Sequence, residues 1–168
     1  GHLLDYQPLN LYTNYQEAAE KTPTVPIIFD ESLPAFPALG LETTYGESHQ
    51  EILKRAYQLA ALGVKKGDKI IIYKSPKFDT YLLAVAASYL AAVPVMVSYH
   101  LPFETIEVFV DRLEDPYILF DDVTAEKVQA VRNSSANKKL SVASLLEADA
   151  TEVPQDELTK DEIAYMTH

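Results

Sequence analysis

The stretch Gly63–Val97, GVKKGDKIIIYKSPKFDTYLLAVAASYLAAVPVMV, decides the fold. It opens on a glycine placed to end a helix in the left-handed conformation, and Lys65-Lys66-Gly67-Asp68 is a polar turn into the β-branched run Lys69–Tyr73, a strand. Ser75 is placed to cap a helix and Pro76 to take its first position, so the spacing predicts a helix from Lys77 to about Ala91. That helix is apolar nearly all round and is therefore expected to be buried. Val93–Val97 is a continuous apolar run of the kind found in parallel strands covered on both faces. From Thr80 to Phe103 only His100 breaks a stretch free of acidic and basic residues. A membrane span needs about 20 strongly apolar residues. Here the run Tyr81–Val97 is alanine-rich, Pro94 interrupts it, and its valines bunch after Ala92, so helix followed by strand is the better reading.

Working outward, Thr44 and Glu47 form a capping box, and Ile52, Ala56 and Leu59 make an apolar stripe that ends at Gly63. Further upstream, Tyr12, Tyr15, Ala18 and Ala19 fall at helical spacing. Two short extended pieces follow, Val25–Phe29 within a Pro-rich stretch and Leu41–Tyr45. Downstream, Pro102 starts a helix whose Ile106, Phe109, Val110 and Leu113 share one face, and Asp115-Pro116 stops it. Tyr117–Phe120 is the next strand, ended by Asp121 and Asp122, and Thr124 is placed to cap a helix carrying Val128 and Val131. The polar loop Asn133–Lys139 leads to a short strand at Leu140–Val142, a helical turn through Leu145 and Leu146, an acidic linker from Glu147 to Glu157 and a last apolar piece, Ile163–Met166. Strands near residues 70, 94, 118, 141 and 164 alternate with helical segments about every 23 residues. This pattern predicts an α/β fold built from successive βα units, a mostly parallel sheet with helices on both faces. The leucine and asparagine positions of a leucine-rich solenoid are missing.

The chain has 168 residues, 48% of them hydrophobic and 23% charged, the profile of an ordinary globular domain. It has no cysteine. Disulfides, thiolate metal sites, iron–sulfur clusters and cysteine nucleophiles are thereby excluded, and a reducing cytoplasm is the default expectation. A formal net charge of -11 with no clustered basic patch argues against nucleic acid as a partner. Gly1-His2 reads as the remnant of an expression tag, and no signal-peptide pattern follows.

Ligands of parallel sheets bind beyond the carboxyl ends of the strands. The candidate rim is therefore Lys74–Lys77, Ser98–Leu101, Asp121–Thr124 and the pair Thr167, His168. Lys74, Ser75 and Lys77 around a helix amino end could hold an anion, although a plain cap is the simpler reading. Asp121 and Asp122 could bind magnesium or act as an acid/base pair, but adjacent carboxylates of a strand point to opposite faces, which favours a strand-ending turn. His49 falls on the polar side of its helix and His100 in a loop, and neither has a second ligand at metal-binding spacing. No Ser-His-Asp grouping is identifiable from spacing. Gly63–Gly67 lies between helix and strand, the reverse of the order that a phosphate loop needs.

Thr44-Tyr45-Gly46-Glu47, then Ala56 and Leu59, then Gly63-Val64-Lys65-Lys66-Gly67-Asp68-Lys69-Ile70 resembles the T-Y-x-E, helix, L-G-V-x-x-G-D-x-V opening of the AMP-forming adenylating enzymes, which include acyl-CoA synthetases. The resemblance continues through Leu82–Val97, similar to the family's A-x-x-V-P segment, and through Leu101–Asp122. It resumes at Asp161–His168, DEIAYMTH, which resembles the strand leading into the family's phosphate loop. Two departures are Ala91-Ala92 where the family has Gly-Ala, and Lys74-Ser75 where it favours asparagine and serine. The resemblance implies an N-terminal subdomain over residues 44–168, preceded by a helix and Pro-rich segment over 3–43. It implies an enzyme that joins a carboxylic acid to ATP, with Mg2+, and passes the acyl group to coenzyme A or another thiol. In the family, the phosphate loop, the adenine and ribose sites and the mobile carboxyl-terminal domain come later in the chain. The resemblance therefore implies no catalytic or metal residues here, Thr167 and His168 as residues flanking the nucleotide loop, no cofactor bound to this polypeptide alone, and no activity in isolation. Its partners would be the remainder of its own polypeptide and, through an exposed face, a second copy. The alternative is a freestanding α/β interaction or small-ligand binding domain.

Overall fold

The computed structural model describes residues 11–156. Helix α1 (Leu11–Lys21) is followed by strands β1 (Pro26–Ile28) and β2 (Glu42–Thr44), which pair antiparallel, and by α2 (Tyr45–Ala61). Then β3 (Lys69–Tyr73), α3 (Asp79–Tyr89), β4 (Val93–Met96), α4 (Phe103–Arg112), β5 (Tyr117–Phe120), α5 (Ala125–Ala130), β6 (Lys139–Ser141) and α6 (Val142–Glu147) alternate. The four later strands form one sheet in the order β4-β3-β5-β6, every pair parallel. The α/β class, the parallel sheet and the helices on both faces are as the sequence predicts. The fifth strand that the sequence predicts near residue 164 falls on residues outside those described.

Side-chain alternation along β3 builds the two layers. Ile70 and Ile72 join the core made by α1, α2, α3 and α6, whereas Ile71 and Tyr73 join Ile106 and Val110 of α4 and Val128 of α5. Helix α3 is buried nearly all round, as its composition predicts. β4 departs from its reading as a strand covered on both faces. Among the described residues it is an edge strand with Met96 51% exposed, because the chain crosses from β4 back past β3 before laying down β5.

Local chemistry sets several boundaries. The Thr44 hydroxyl accepts from the Glu47 amide at 3.1 Å, and the Glu47 carboxylate accepts from the Thr43 and Thr44 hydroxyls, so this capping box closes through side chains. At the end of α2, Gly63 has φ +105°, with the Gly63 amide bonded to Ala60 O and the Val64 amide to Leu59 O. The end of α3 repeats this pattern at Ala91, φ +59°, with the Ala91 amide on Ser88 O and the Ala92 amide on Ala87 O. An L-alanine thus occupies the left-handed position that glycine fills without steric cost.

Helix α1 docks through tyrosines. The Tyr15 hydroxyl bonds Ser48 Oγ, and Tyr12 Oη lies 2.7 Å from His49 Nε2, so His49 is half-buried against α1 rather than turned to solvent. Burial pushes the His49 imidazole down, which favours the neutral ring beside the Tyr12 hydroxyl.

Ala91→Gly should raise the unfolding free energy by about 0.5–1 kcal/mol by relieving the left-handed strain. Gly63→Ala should lower it by more than about 1 kcal/mol, since the added Cβ would sit 2.9 Å from Tyr117 Oη at a φ that disfavours it. Urea denaturation of the two variants checks both signs. Burial raises the Tyr12 and Tyr15 phenols to about 12. Their contribution to stability is full below the unfolded value of about 10 and is lost as pH rises from about 10 through 12. Urea midpoints across that range should fall, and Tyr15→Phe should flatten the decline.

Candidate functional site

In the order β4-β3-β5-β6, the connection leaving β3 turns to one side and the connection leaving β5 turns to the other. The crevice between their carboxyl ends is where a ligand of such a sheet is expected. Here the chain's own polar groups fill it. Lys74 Nζ donates to Asp79 Oδ1 at 2.5 Å and to Ser75 O at 3.1 Å, and lies 3.9 Å from Asp121 Oδ2. Both Lys74 and Asp79 side chains are fully buried. The Ser75 amide and hydroxyl both donate to Asp121 Oδ2, at 3.1 and 2.5 Å, and Asp121 Oδ1 accepts from the Val123 amide at 3.1 Å. One carboxylate therefore bridges the ends of β3 and β5. Asp79 Oδ2 accepts from the Ala35 amide at 3.1 Å and so holds the Pro-rich segment against the rim. Asp79 also lies in the first turn of α3, where the helix dipole favours a negative charge.

The polar contacts continue across the molecule from Ala35. Arg55 Nε donates to Ala35 O at 2.8 Å, its guanidinium lies 5.2 Å from the Phe36 ring centroid, and it bonds Gln58 Oε1 and Glu51 Oε1. Gln58 Nε2 then donates to Leu146 O and Ala148 O. Burial lowers the Arg55 guanidinium and Glu51 opposes that shift. Asp79, Arg55 and Gln58 went unremarked in the sequence. The available signal was a carboxylate at the start of an otherwise apolar helix, and an arginine beside the apolar stripe of another.

Several rim residues act otherwise than predicted. Lys74 turns inward to Asp79, so it is neither a helix-end anion ligand nor part of a plain cap. Ser75 does not cap α3, because Asp121 takes its hydroxyl, and the helix starts at Asp79 rather than at Lys77. Lys77 pairs with Glu31 at 3.4 Å. Thr124 makes no side-chain cap, because its hydroxyl donates to Tyr73 O at 2.6 Å. Asp121 does end its strand in a turn, and Asp122 is exposed. His100 stacks on Tyr99 with ring centroids 4.0 Å apart. Thr167 and His168 lie outside the described residues.

Among the described residues no group of three or more His, Asp or Glu side chains could hold a metal ion. Among the described residues of the rim, Asp79 and Asp121 are engaged by Lys74 and Ser75. The Asp121 carboxylate also takes the Ser75 amide, a donor that an anion at this point would need. No helix among the described residues is long and apolar enough to cross a membrane.

The sequence pattern of the AMP-binding enzyme family matches residues 15–168, and the chain belongs to that family. It is 33% identical over 110 residues to a 3-amino-2-hydroxy-4-methoxybenzoate diazotase of Streptomyces cremeus, a match covering 66% of this chain and 20% of that protein. A long-chain-fatty-acid-CoA ligase from Archaeoglobus fulgidus superposes with TM-score 0.72 at 18% identity, covering 94% of this chain and 33% of that one. The N-terminal subdomain of Klebsiella oxytoca NpsA, in complex with 3-hydroxybenzoyl-AMSN, superposes with TM-score 0.68 at 21% identity, covering 92% and 35%. The fold is thus that of the N-terminal domain of adenylate-forming enzymes. The chain spans about a fifth of the diazotase and a third of each structural relative.

Asp79→Ala should cost about 3–5 kcal/mol, since it removes the nearest counter-charge of the buried Lys74 ammonium and leaves only Asp121 at 3.9 Å. Adding Lys74→Met should restore at least half of that loss. Urea unfolding of the single and double variants checks this, and a single-variant loss under about 1 kcal/mol would count against a structural ion pair.

Proposed function

We propose that this chain is the N-terminal part of an AMP-forming ligase that activates a carboxylic acid with ATP. In that reaction a carboxylate oxygen attacks the α-phosphorus, the bond to pyrophosphate breaks, and an acyl-adenylate forms. Transfer to coenzyme A or another thiol would follow, in the cytoplasm. The observation that carries this reading is the family match across residues 15–168 together with the superposition on the NpsA N-terminal subdomain. Residues 44–168 would form the α/β subdomain, with 3–43 as the segment packed against it.

Within such an enzyme the described residues would provide a scaffold. They hold the sheet, close its crevice with Asp121, and leave nucleotide and magnesium binding to sequence beyond them, which Thr167 and His168 would flank. The chain alone is accordingly proposed to be inactive, and to associate with the rest of its polypeptide or with a second copy through its open surfaces. The substrate is proposed to be a hydroxylated or aminated benzoate, because the similar diazotase is one of 3-amino-2-hydroxy-4-methoxybenzoate and the similar NpsA subdomain is in complex with 3-hydroxybenzoyl-AMSN.

ATP–pyrophosphate exchange with magnesium should be measured on this chain and on the longer polypeptide that the proposal requires, across short, long and aromatic acids. The expected result is exchange by the longer protein alone, strongest with an amino- or hydroxybenzoate. Exchange by the 168-residue chain would refute its role as an inactive scaffold. Exchange by neither would leave a shared fold without the shared reaction.

A further inference from the structure

Beside the closed crevice, a cavity of about 300 Å³ lies between the Pro-rich segment and the loop that leaves β3. That is the small end of the range for ligand pockets, and suits a ligand of a dozen or so heavy atoms rather than a nucleotide. Ile28, Phe29 and Leu33 line it from one segment, and Pro76 and Phe78 from the other. Two residues after Leu33, the Ala35 amide bonds Asp79, the residue after Phe78, so the two segments are held together without a ligand.

The apolar part of the lining is aromatic and incompletely covered. Phe29 and Phe78 meet with ring centroids 5.6 Å apart, and Phe78 is backed by Tyr81 at 5.5 Å. Phe78 remains 43% exposed and Ile28 75%. Large apolar side chains left open beside a concavity gain by covering an apolar ligand group, and a ring positioned by its neighbours favours another ring against it.

The charged part of the lining carries both signs. Lys77 comes from the loop after β3, and Asp30 and Glu31 come from the opposite segment. Lys77 Nζ lies 3.4 Å from Glu31 Oε1, and both side chains are partly exposed, so the pair contributes little and yields readily to a ligand. The Asp30 carboxylate has no hydrogen bond or ion pair among the described residues. A lone carboxylate would meet two repelling charges here, and a lone amine would compete with Lys77 for Glu31. A ligand carrying both charges on adjacent groups satisfies all three. In an α-amino acid the nitrogen and the carboxyl carbon are about 2.5 Å apart, so the two charges can face Glu31 and Lys77 at once.

We propose that this cavity binds a free α-amino acid with an aromatic side chain, its carboxylate on Lys77, its ammonium on Glu31 and Asp30, and its ring against Phe78. The site is independent of the adenylation reading, since it is built wholly from the described residues.

Amide NMR of the 168-residue chain titrated with L-phenylalanine tests the site. Saturable shifts should fall on Ile28–Leu33 and on Lys77 and Phe78. Phenethylamine, 3-phenylpropionate, glycine and N-acetyl-L-phenylalaninamide each lack part of what the cavity recognises, and should bind at least about tenfold more weakly. Lys77→Met and Glu31→Gln should each weaken L-phenylalanine by at least about tenfold, whereas Lys77→Arg should retain binding. Because the pair is open to water, the urea midpoints of these variants should match the parent, which separates lost binding from lost folding. Absence of saturable shifts at these residues would overturn the proposal, as would equal binding by phenethylamine or by the uncharged amide, or unchanged affinity in Lys77→Met. Tighter binding by 3-hydroxybenzoate than by L-phenylalanine would overturn it as well, and would make the cavity a site for an aromatic acid.

Discussion

The structure depends on the bond between Ser75 and Asp121. Parallel strands whose connections diverge leave a crevice at their carboxyl ends, and a crevice lined by unpaired amides costs free energy unless something fills it. Asp121 supplies the acceptor and Ser75 two donors, which ties the central strand β3 to β5. Lys74 and Asp79 complete the closure with a buried pair whose opposite charges make burial tolerable.

This closure also explains how a Pro-rich segment with little regular structure becomes ordered. Asp79 accepts from the Ala35 amide and Arg55 donates to the Ala35 carbonyl, so both backbone groups of one buried residue are satisfied from α3 and α2. Gln58 extends the connection to the carbonyls after β6. A single polar relay thereby couples the rim, the N-terminal segment and the last helix, while apolar side chains pack the two faces of the sheet around it. The most polar interior region of the described residues is thus occupied by internal partners, as the scaffold role proposed above requires.

The sequence was legible where structure is set by near neighbours. Gly63 ending α2, Thr44 opening it, and the alternation of strand and helix from Lys69 onward all follow from residues a few positions apart. It was illegible where the partner is distant in the chain. Ser75 and Thr124 read as helix caps because that is their local preference, yet their hydroxyls go to Asp121 and to Tyr73 O, 46 and 51 residues away. β4 read as a covered strand because apolar content reports burial but not strand order. Asp79 escaped notice because one carboxylate in an apolar helix acquires meaning only when Lys74 and Ala35 are seen around it.

The central claim, that the crevice is closed by the chain's own carboxylate, is most directly tested by amide NMR of the 168-residue chain titrated with ATP and magnesium. The account predicts no saturable shifts at Ser75–Lys77 or Asp121–Thr124. Saturable shifts confined to those residues would contradict it and make this rim a nucleotide site in its own right.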